Sequence, residues 1–478
     1  MKFVIANPPW PGEGYGTRSN IRWPHRRGDK VLTFPIYLAY ATAILKSKKL
    51  DAIGIDAIEK EWDTTRFVEE IKKINPKIVF LEISTPSIYH DLETAELIKK
   101  ETNLLVALMG PHATYFHKEL VENNSFIDFC IRNEFEYTIR DLCLAIKNNS
   151  PLGNILGITY RKENKVIINK SRPLIENLDE IPFPDRDDFK LENYQQSFYG
   201  GKKTALVISS RGCPYQCTFC LWPDTLYGHK HRERSAKNMV NEIELLVNNY
   251  GVDEIYFDDD SFTINKKHIT DFCNEINSRN IKIPWLCMGR VNNVDGETLN
   301  LMKESGCKEI FYGFESGSQE ILDHSCKNIT LEQIKNAVKL TQKAGICAGG
   351  SFVFGLPKES MKTVRETIRF AKKLGANYVQ FTLAAPFPGT KLYEEAKSKN
   401  LLKLNSWEDL DGTKGPIIES EFLNKNQMSG IIRKAYLSYY TSPRIIIQNL
   451  KTISDWNSFR KVMRGAFSVL SRIFYYKK

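Results

Sequence analysis

The chain has 478 residues, enough for two or three domains that each bury a core. Hydrophobic residues make up 42% and charged residues 26%, which suits a folded globular protein and excludes a disordered one. Of the net charge of +10, residues 426–478 carry +9, so the basic balance describes a tail and not the body. The opening Met-Lys-Phe-Val-Ile-Ala-Asn-Pro-Pro has too short an apolar run for a signal peptide. No stretch reaches the ~18 apolar residues of a membrane span, and the ten cysteines form no disulfide-like framework. A cytoplasmic protein is expected.

Short apolar runs at residues 3–6, 53–57, 78–83, 105–109 and 127–131 alternate with amphipathic stretches at 36–46, 65–74, 91–100 and 138–147. Strand, helix, strand at this pitch predicts an α/β domain, a doubly wound parallel sheet, over residues 1–150. Residues 151–200 read as a connector with a strand pair near 158–160 and 166–169 and a Pro-rich turn at Ile181-Pro-Phe-Pro184. Six further strands are expected at 205–209, 254–257, 284–288, 309–313, 351–354 and 378–383. Helices between them are expected at 238–248, 267–278, 296–305, 331–344 and 361–374. Six units predict a partial version of the eight-unit barrel over 201–405, with its chemistry where the strands end. Residues 406–478 form a small C-terminal helical, basic region.

The run Arg211-Gly-Cys213-Pro-Tyr-Gln-Cys217-Thr-Phe-Cys220 follows the first of those six strands. Its C-x3-C-x2-C spacing supplies three thiolates from one loop, which suits a four-iron cluster with one iron left open to a small molecule. A structural zinc would want four protein ligands, and a disulfide with a spare thiol would want an oxidising compartment. Each of the other five strands ends in a distinctive cluster. These are Asp258-Asp-Asp-Ser-Phe262, Arg290, Gly313-Phe-Glu315-Ser316, Gly355-Leu-Pro357 and Ala385-Pro-Phe-Pro-Gly389.

The cysteine loop, with Phe219 before its last cysteine, resembles the signature of the radical S-adenosylmethionine (SAM) superfamily. The resemblance implies that Cys213, Cys217 and Cys220 hold a 4Fe-4S cluster whose open iron takes SAM, and that cleavage of SAM yields a 5′-deoxyadenosyl radical. Glu315 is then expected to accept hydrogen bonds from the SAM ribose, with helix capping as its alternative. Asp258 or Asp259 is expected at the SAM ammonium group, the alternative being a solvated or capping turn. Arg290 is expected to fork onto the SAM carboxylate, or else to be a surface arginine. Gly355 and Pro357 suit a close approach to adenine, with Phe219 wedged beside it.

In the first domain Ser84-Thr-Pro-Ser87, Gly110-Pro-His112-Ala-Thr114 and Arg132-Asn-Glu134-Phe-Glu136 follow successive strands. Polar and small residues there line the crevice in which such sheets bind nucleotide-like ligands. They resemble the cobalamin-binding domains that precede radical SAM barrels, which implies that Ser84, Thr85, Gly110, His112 and Glu134 face the corrin or its tail. The chain has no D-x-H-x-x-G loop, so that motif supplies no histidine for the lower face of cobalt. An empty sheet kept for substrate or partner binding is the alternative.

Over residues 75–400 the chain resembles the hopanoid-biosynthesis-associated radical SAM protein. Leu221-Trp-Pro223, Phe257-Asp-Asp-Asp-Ser-Phe-Thr263 and Leu383-Ala-Ala-Pro-Phe-Pro-Gly-Thr390 carry much of that likeness. It implies ring contraction of a lipid-linked sugar to a cyclitol headgroup on an isoprenoid or ether lipid. The runner-up is cobalamin-dependent methyl transfer to an unactivated carbon of a lipid or other small molecule. Either reaction draws electrons from a reductant such as flavodoxin or ferredoxin. In the tail, Val462, Met463, Ala466, Phe467, Leu470, Ile473 and Phe474 share a helical stripe beside Arg460, Lys461, Arg464 and Arg472. That pattern suits peripheral contact with the inner face of a membrane, or a docked helix; no nucleic-acid partner is expected.

Overall fold

Ile-Val-Phe-Leu-Glu at Ile78–Glu82 is buried at every position, the pattern of a strand covered by helices on both faces. The computed structural model describes residues 1–18, 24–28, 30–163, 165–194, 203–411 and 415–451. In it Ile78–Glu82 pairs in parallel with Lys2–Asn7 on one side and Leu105–Met109 on the other. Asp51–Asp56 lies beyond Lys2–Asn7, and Phe129–Ile131 beyond Leu105–Met109. All five strands expected of the first domain are present. The pair Ile158–Lys162 and Lys165–Ile168 continues the same sheet in antiparallel sense. The expected strand pair of the connector is therefore a sheet extension rather than a separate hairpin.

Alternate residues along these strands enter opposite layers, as the pleat dictates. Val4, Val79, Leu81 and Leu108 pack on one side. Phe3, Ile5, Phe80 and Met109 pack on the other, in an apolar cluster that runs on without a break into the second sheet.

That second sheet has six parallel strands in sequence order: Thr204–Val207, Glu254–Phe257, Trp285–Gly289, Cys307–Glu315, Cys347–Phe354 and Tyr378–Leu383. Helices Ala236–Tyr250, Lys266–Ser278, Gly296–Glu304, Leu331–Lys343 and Met361–Leu374 connect the strands. Each begins with a side-chain N-cap: Ser235, Asn265, Asp295, Thr330 and Ser360. This is the expected partial barrel.

An open barrel leaves its last strand with unpaired backbone groups. Helix Ile431–Tyr440 covers them with three phenols. Tyr436 Oη accepts from the Phe381 amide at 3.1 Å and also lies 3.3 Å from the Phe381 carbonyl. Tyr440 Oη donates to the Val379 carbonyl at 2.9 Å and Tyr439 Oη to that of Ala376 at 3.4 Å. The start of the basic C-terminal region is thus docked on the barrel. The amphipathic stripe from Val462 to Phe474 lies outside the described residues, as do Arg460, Lys461, Arg464 and Arg472. No helix among the described residues is long and apolar enough to cross a membrane.

Candidate active site

The chain leaves strand Thr204–Val207 through Ser209 and Ser210 and enters the cysteine loop. Gly212 holds φ +82°, and a side chain there would run into the Lys230 carbonyl. His231 Nδ1 lies 3.1 Å from the Gly212 carbonyl, and His229 Nδ1 lies 3.0 Å from that of Cys213. On the other flank the Thr218 amide donates to the Ser325 carbonyl at 3.1 Å, and the Leu392 amide to the Thr218 carbonyl at 2.8 Å. The backbone is pinned on both sides while the thiols of Cys213, Cys217 and Cys220 stay half-buried and unbridged.

Among the described residues no three His, Cys, Asp or Glu side chains converge on one metal position. A mononuclear zinc would need such convergence, whereas the ligands of a multi-iron cluster each take a separate iron. Burial first, and the Asp260 carboxylate second, push the Cys213 thiol up to about 11, so ligation of iron there would release a proton.

Three other strand ends meet this loop. Arg290 lies face-on to Tyr215, 3.6 Å from the ring centroid, with Nη1 3.8 Å from Cys217 Sγ and Nη2 donating to the Lys327 carbonyl. Its terminal nitrogens are therefore engaged by the loop and its neighbours, not held free as the fork that sequence reasoning expected. Glu315 ends its strand with φ +60°, and its Oε1 lies 2.7 Å from Lys327 Nζ. A side chain at Gly313 would collide with that pair, so the glycine makes room for it. Burial alone would lower the Lys327 pKa, but Glu315 and Cys217 together outweigh it and the net shift is upward. Lys327 is flanked by Cys326 at φ +53° and Asn328 at φ +52°. Three left-handed non-glycine residues around one ion pair are costly, which marks a built site.

The acidic run divides its work. Asp259 Oδ1 accepts from the amides and hydroxyls of Ser209 and Ser210, tying the second strand end to the first. Burial raises it to about 6. Through Oδ1 this carboxylate braces the cysteine loop. Asp258 is buried with the Tyr256 hydroxyl 3.3 Å away, and Asp260 is the member whose charge reaches Cys213. Gly355 turns at φ +87°, and its amide donates to Glu359, a buried acid raised to about 8 by desolvation. Pro357 is buried in the same turn, and Phe219 packs against the apolar cluster that includes Leu356, Ala384 and Ile418.

In the first domain the strand order, in sequence numbering 2-1-3-4-5, reverses between Lys2–Asn7 and Ile78–Glu82. Ligands of such sheets bind at that switch point, and Ser84 and Thr85 stand at its rim. Ser84 Oγ lies 2.7 Å from Ser87 Oγ, which lies 2.6 Å from Asp91, itself paired with the buried Arg18 at 2.6 Å. Thr85 Oγ1 lies 3.0 Å from His112 Nδ1. Burial alone pushes His112 down to about 3, so the ring is neutral. Gly110 turns at φ +108° against the Ile83 carbonyl. A groove of about 700 Å³ opens beside these residues but is lined by others, among them Trp10, Tyr15, Trp62 and His90.

Glu134 differs from its expected role outright. Its carboxylate lies 2.7 Å from Arg211 and 2.9 Å from Arg232 and accepts from the Ile175 amide. Arg211 also pairs with Glu136 at 2.8 Å and stacks between Tyr40 and Tyr227. Both oxygens of Glu134 thus anchor the base of the cysteine loop to the first domain, and the corrin contact is withdrawn.

The two strand-end faces meet along one seam. Helix Pro111–Tyr115 packs against the turn Pro223–Tyr227 that follows the cysteines. Turn Trp407–Leu410 lies over Thr85–Ser87, with the Trp407 ring 6.0 Å from His112 and 5.6 Å from Phe116.

Residues 207–371 match the Radical SAM superfamily. An uncharacterized methyltransferase of Pyrococcus horikoshii is 35% identical over 442 residues, 92% of this chain and 94% of that one. The chain belongs to the radical SAM superfamily. It is a radical SAM enzyme, and the cysteine loop and strand ends just described are where that superfamily's domain lies. The anaerobic magnesium-protoporphyrin IX monomethyl ester cyclase of Rubrivivax gelatinosus is 28% identical, covering 84% of this chain and 70% of that one. Among solved structures, the radical SAM methyltransferase TsrM of Kitasatospora setae, with cobalamin and a 4Fe-4S cluster bound, superposes with a TM-score of 0.70. It is 16% identical and covers 98% of this chain and 99% of that one. The likeness extends across both sheets, so the fold of the whole chain is that of the cobalamin-dependent enzymes.

Lys327 and Glu359 are the site residues that sequence reasoning missed. Lys327 sits in Ser325-Cys-Lys-Asn328, which has no apolar periodicity and reads as a solvated loop. Glu359 follows the glycine turn at a spacing that reads as a helix start.

Proposed function

We propose that the protein is a cobalamin-dependent radical SAM methyltransferase that methylates an unactivated carbon of a lipid or other small molecule. The observation that carries this reading is the seam: at the strand ends of a nucleotide-binding type of sheet, helix Pro111–Tyr115 packs against the turn that follows the cysteine loop of a radical SAM barrel. Near-full-length similarity to one protein named a methyltransferase and fold likeness to another support it. The comparisons favour methyl transfer over the ring contraction of a lipid-linked sugar expected from the sequence.

The three thiols fit a cluster in number, exposure and freedom from disulfides. With SAM the cluster supplies one-electron radical chemistry, and cobalamin supplies a transferable methyl group. Cys213, Cys217 and Cys220 would hold the iron. Glu315, fixed by Lys327, presents a carboxylate oriented for ribose hydroxyls, and Asp258 or Asp260 offers an anion for an ammonium group. Gly355, with its turn held by Glu359, lets backbone approach a flat base beside Phe219. Ser84, Thr85, Gly110 and His112 shape the rim of the crevice where a corrin would lie, and Trp407 closes it from the barrel side.

Cells with and without the gene, fed methyl-labelled methionine, provide the test. A gene-dependent metabolite carrying the label, made again in vitro by anaerobically reconstituted protein with labelled SAM, is the expected result. A gene-dependent product without label, formed together with 5′-deoxyadenosine, would overturn methyl transfer in favour of rearrangement.

A further inference from the structure

Arg290 is only 4% exposed, and a guanidinium so far from water is strongly unfavourable unless something compensates its charge. The other buried arginines show what compensation looks like here. Arg18 has Asp91 at 2.6 Å, Arg186 and Arg234 share Glu242 at 3.0 and 2.6 Å, and Arg211 and Arg232 share Glu134. Arg132, at 8% exposure, donates instead to the carbonyls of Ile158 and Asn169. Arg290 has neither arrangement in full. It pairs with no carboxylate among the described residues, it reaches one carbonyl, and its Nε is buried without a hydrogen-bond partner. Its remaining contacts are the Tyr215 ring and Cys217 Sγ.

The second cation near the loop behaves differently. The Lys327 ammonium is neutralised within its own pair by Glu315 at 2.7 Å. Arg290 is therefore a buried positive charge beside the cysteine ligands that no carboxylate among the described residues offsets. A cluster held by three thiolates carries the missing negative charge, and N–H donation to a ligating sulfur stabilises the more reduced form.

We propose that Arg290 is the counter-charge of the cluster, setting its reduction potential through the Cys217 sulfur rather than gripping the carboxylate of SAM. The inference rests on the reading of Cys213, Cys217 and Cys220 as cluster ligands. One electron from a low-potential donor, a reduced flavodoxin or ferredoxin or dithionite in the test, adds one unit of negative charge to the site. No bond and no proton moves. The fixed guanidinium favours that added charge, and its planar fork, held by Tyr215 and the Lys327 carbonyl, is a shape an ammonium does not reproduce.

The test is an anaerobic redox titration of the reconstituted full chain, followed by electron paramagnetic resonance, with SAM affinity measured on the same preparations. In Arg290→Gln the ratio of reduced to oxidised cluster at a fixed potential should fall at least tenfold, a midpoint lower by about 59 mV or more for one electron. Its SAM dissociation constant should stay within about threefold of the parent. Arg290→Lys should fall between the two, and the double variant Glu315→Gln with Lys327→Met, which removes both members of the neutral pair, should keep the parental midpoint. A parental midpoint in Arg290→Gln, above all with SAM binding weakened tenfold, would return Arg290 to the carboxylate and overturn the proposal. A shift in that double variant as large as that in Arg290→Gln would overturn it too. Should Arg290→Gln hold no iron, Arg290→Lys decides: a lowered midpoint supports the proposal and a parental one sinks it. If the parent forms no cluster at all, both this inference and the ligand assignment fall, whereas a normal cluster with unshifted variants removes the inference alone.

Discussion

Both sheets of this protein end their parallel strands in polar clusters, yet the clusters serve opposite ends. At the barrel face, Arg290, Lys327 with Glu315, and Asp260 are turned toward the three cysteines, the Lys327–Glu315 pair through left-handed turns at Glu315, Cys326 and Asn328. At the face of the first domain, the polar residues satisfy one another or reach across to the barrel: Ser84 to Ser87, Thr85 to His112, Glu134 to Arg211. A strand-end residue can be a ligand or the brace behind one. The difference is visible only in what the side chain already touches.

The largest effect that would break this contrast lies in the barrel. Cys217→Ala should lose the iron and all turnover while leaving corrin binding intact, read by iron content and the corrin absorption of anaerobic preparations. Loss of both cofactors together would show that the two faces do not act separately. Next is Arg211→Met, which strands Glu136 in the interior and leaves Glu134 to Arg232 alone. Removing one partner of a buried pair costs about 3–5 kcal/mol, measurable by denaturant unfolding, with iron retention falling because the loop loses its anchor. Unchanged stability would mean that this network is not the brace described.

The third bears on the first domain alone. His112 has a folded pKa of about 3, below its ordinary value of 6.5. The unfolded chain therefore binds the proton more readily than the folded one between those values. Stability from this group is fully present above pH 6.5 and declines as the pH falls toward 3, by at most about 1.4 kcal/mol per pH unit. His112→Asn should flatten that part of the stability profile; an unaltered slope would place the titration elsewhere. The smallest is Ser87→Ala, which removes a donor to Asp91 and should cost about 1–3 kcal/mol without changing SAM binding. A change in corrin affinity with no change in stability would move Ser87 from brace to ligand.

The strands were legible because buried parallel strands are unbroken apolar runs bounded by polar residues, and the helices because amphipathic stretches alternate with those runs. The cysteine spacing and the six strand ends located the site for the same local reasons. Glu134 and Lys327 mark where local reading stops. Glu134 meets Arg211 across 77 positions, so its partner is set by how the domains dock and not by its neighbours. Lys327 enters the site because left-handed residues on either side turn it inward, and a lysine in a short polar loop gives no sign of that. Asp259 shows the same limit at short range, since three adjacent aspartates look alike until the Ser209 and Ser210 donors select one.

The bond between Arg211 and Glu134 also bears on how the protein is made. The segment with Glu134 leaves the ribosome well before the cysteines do, and domains tend to fold in the order of synthesis. The cysteine loop is therefore tied at its base to a sheet already in place, which would make metal insertion there a late event in maturation. Iron shortage should then leave a docked, folded protein waiting for its cluster, and not an unfolded one to be cleared.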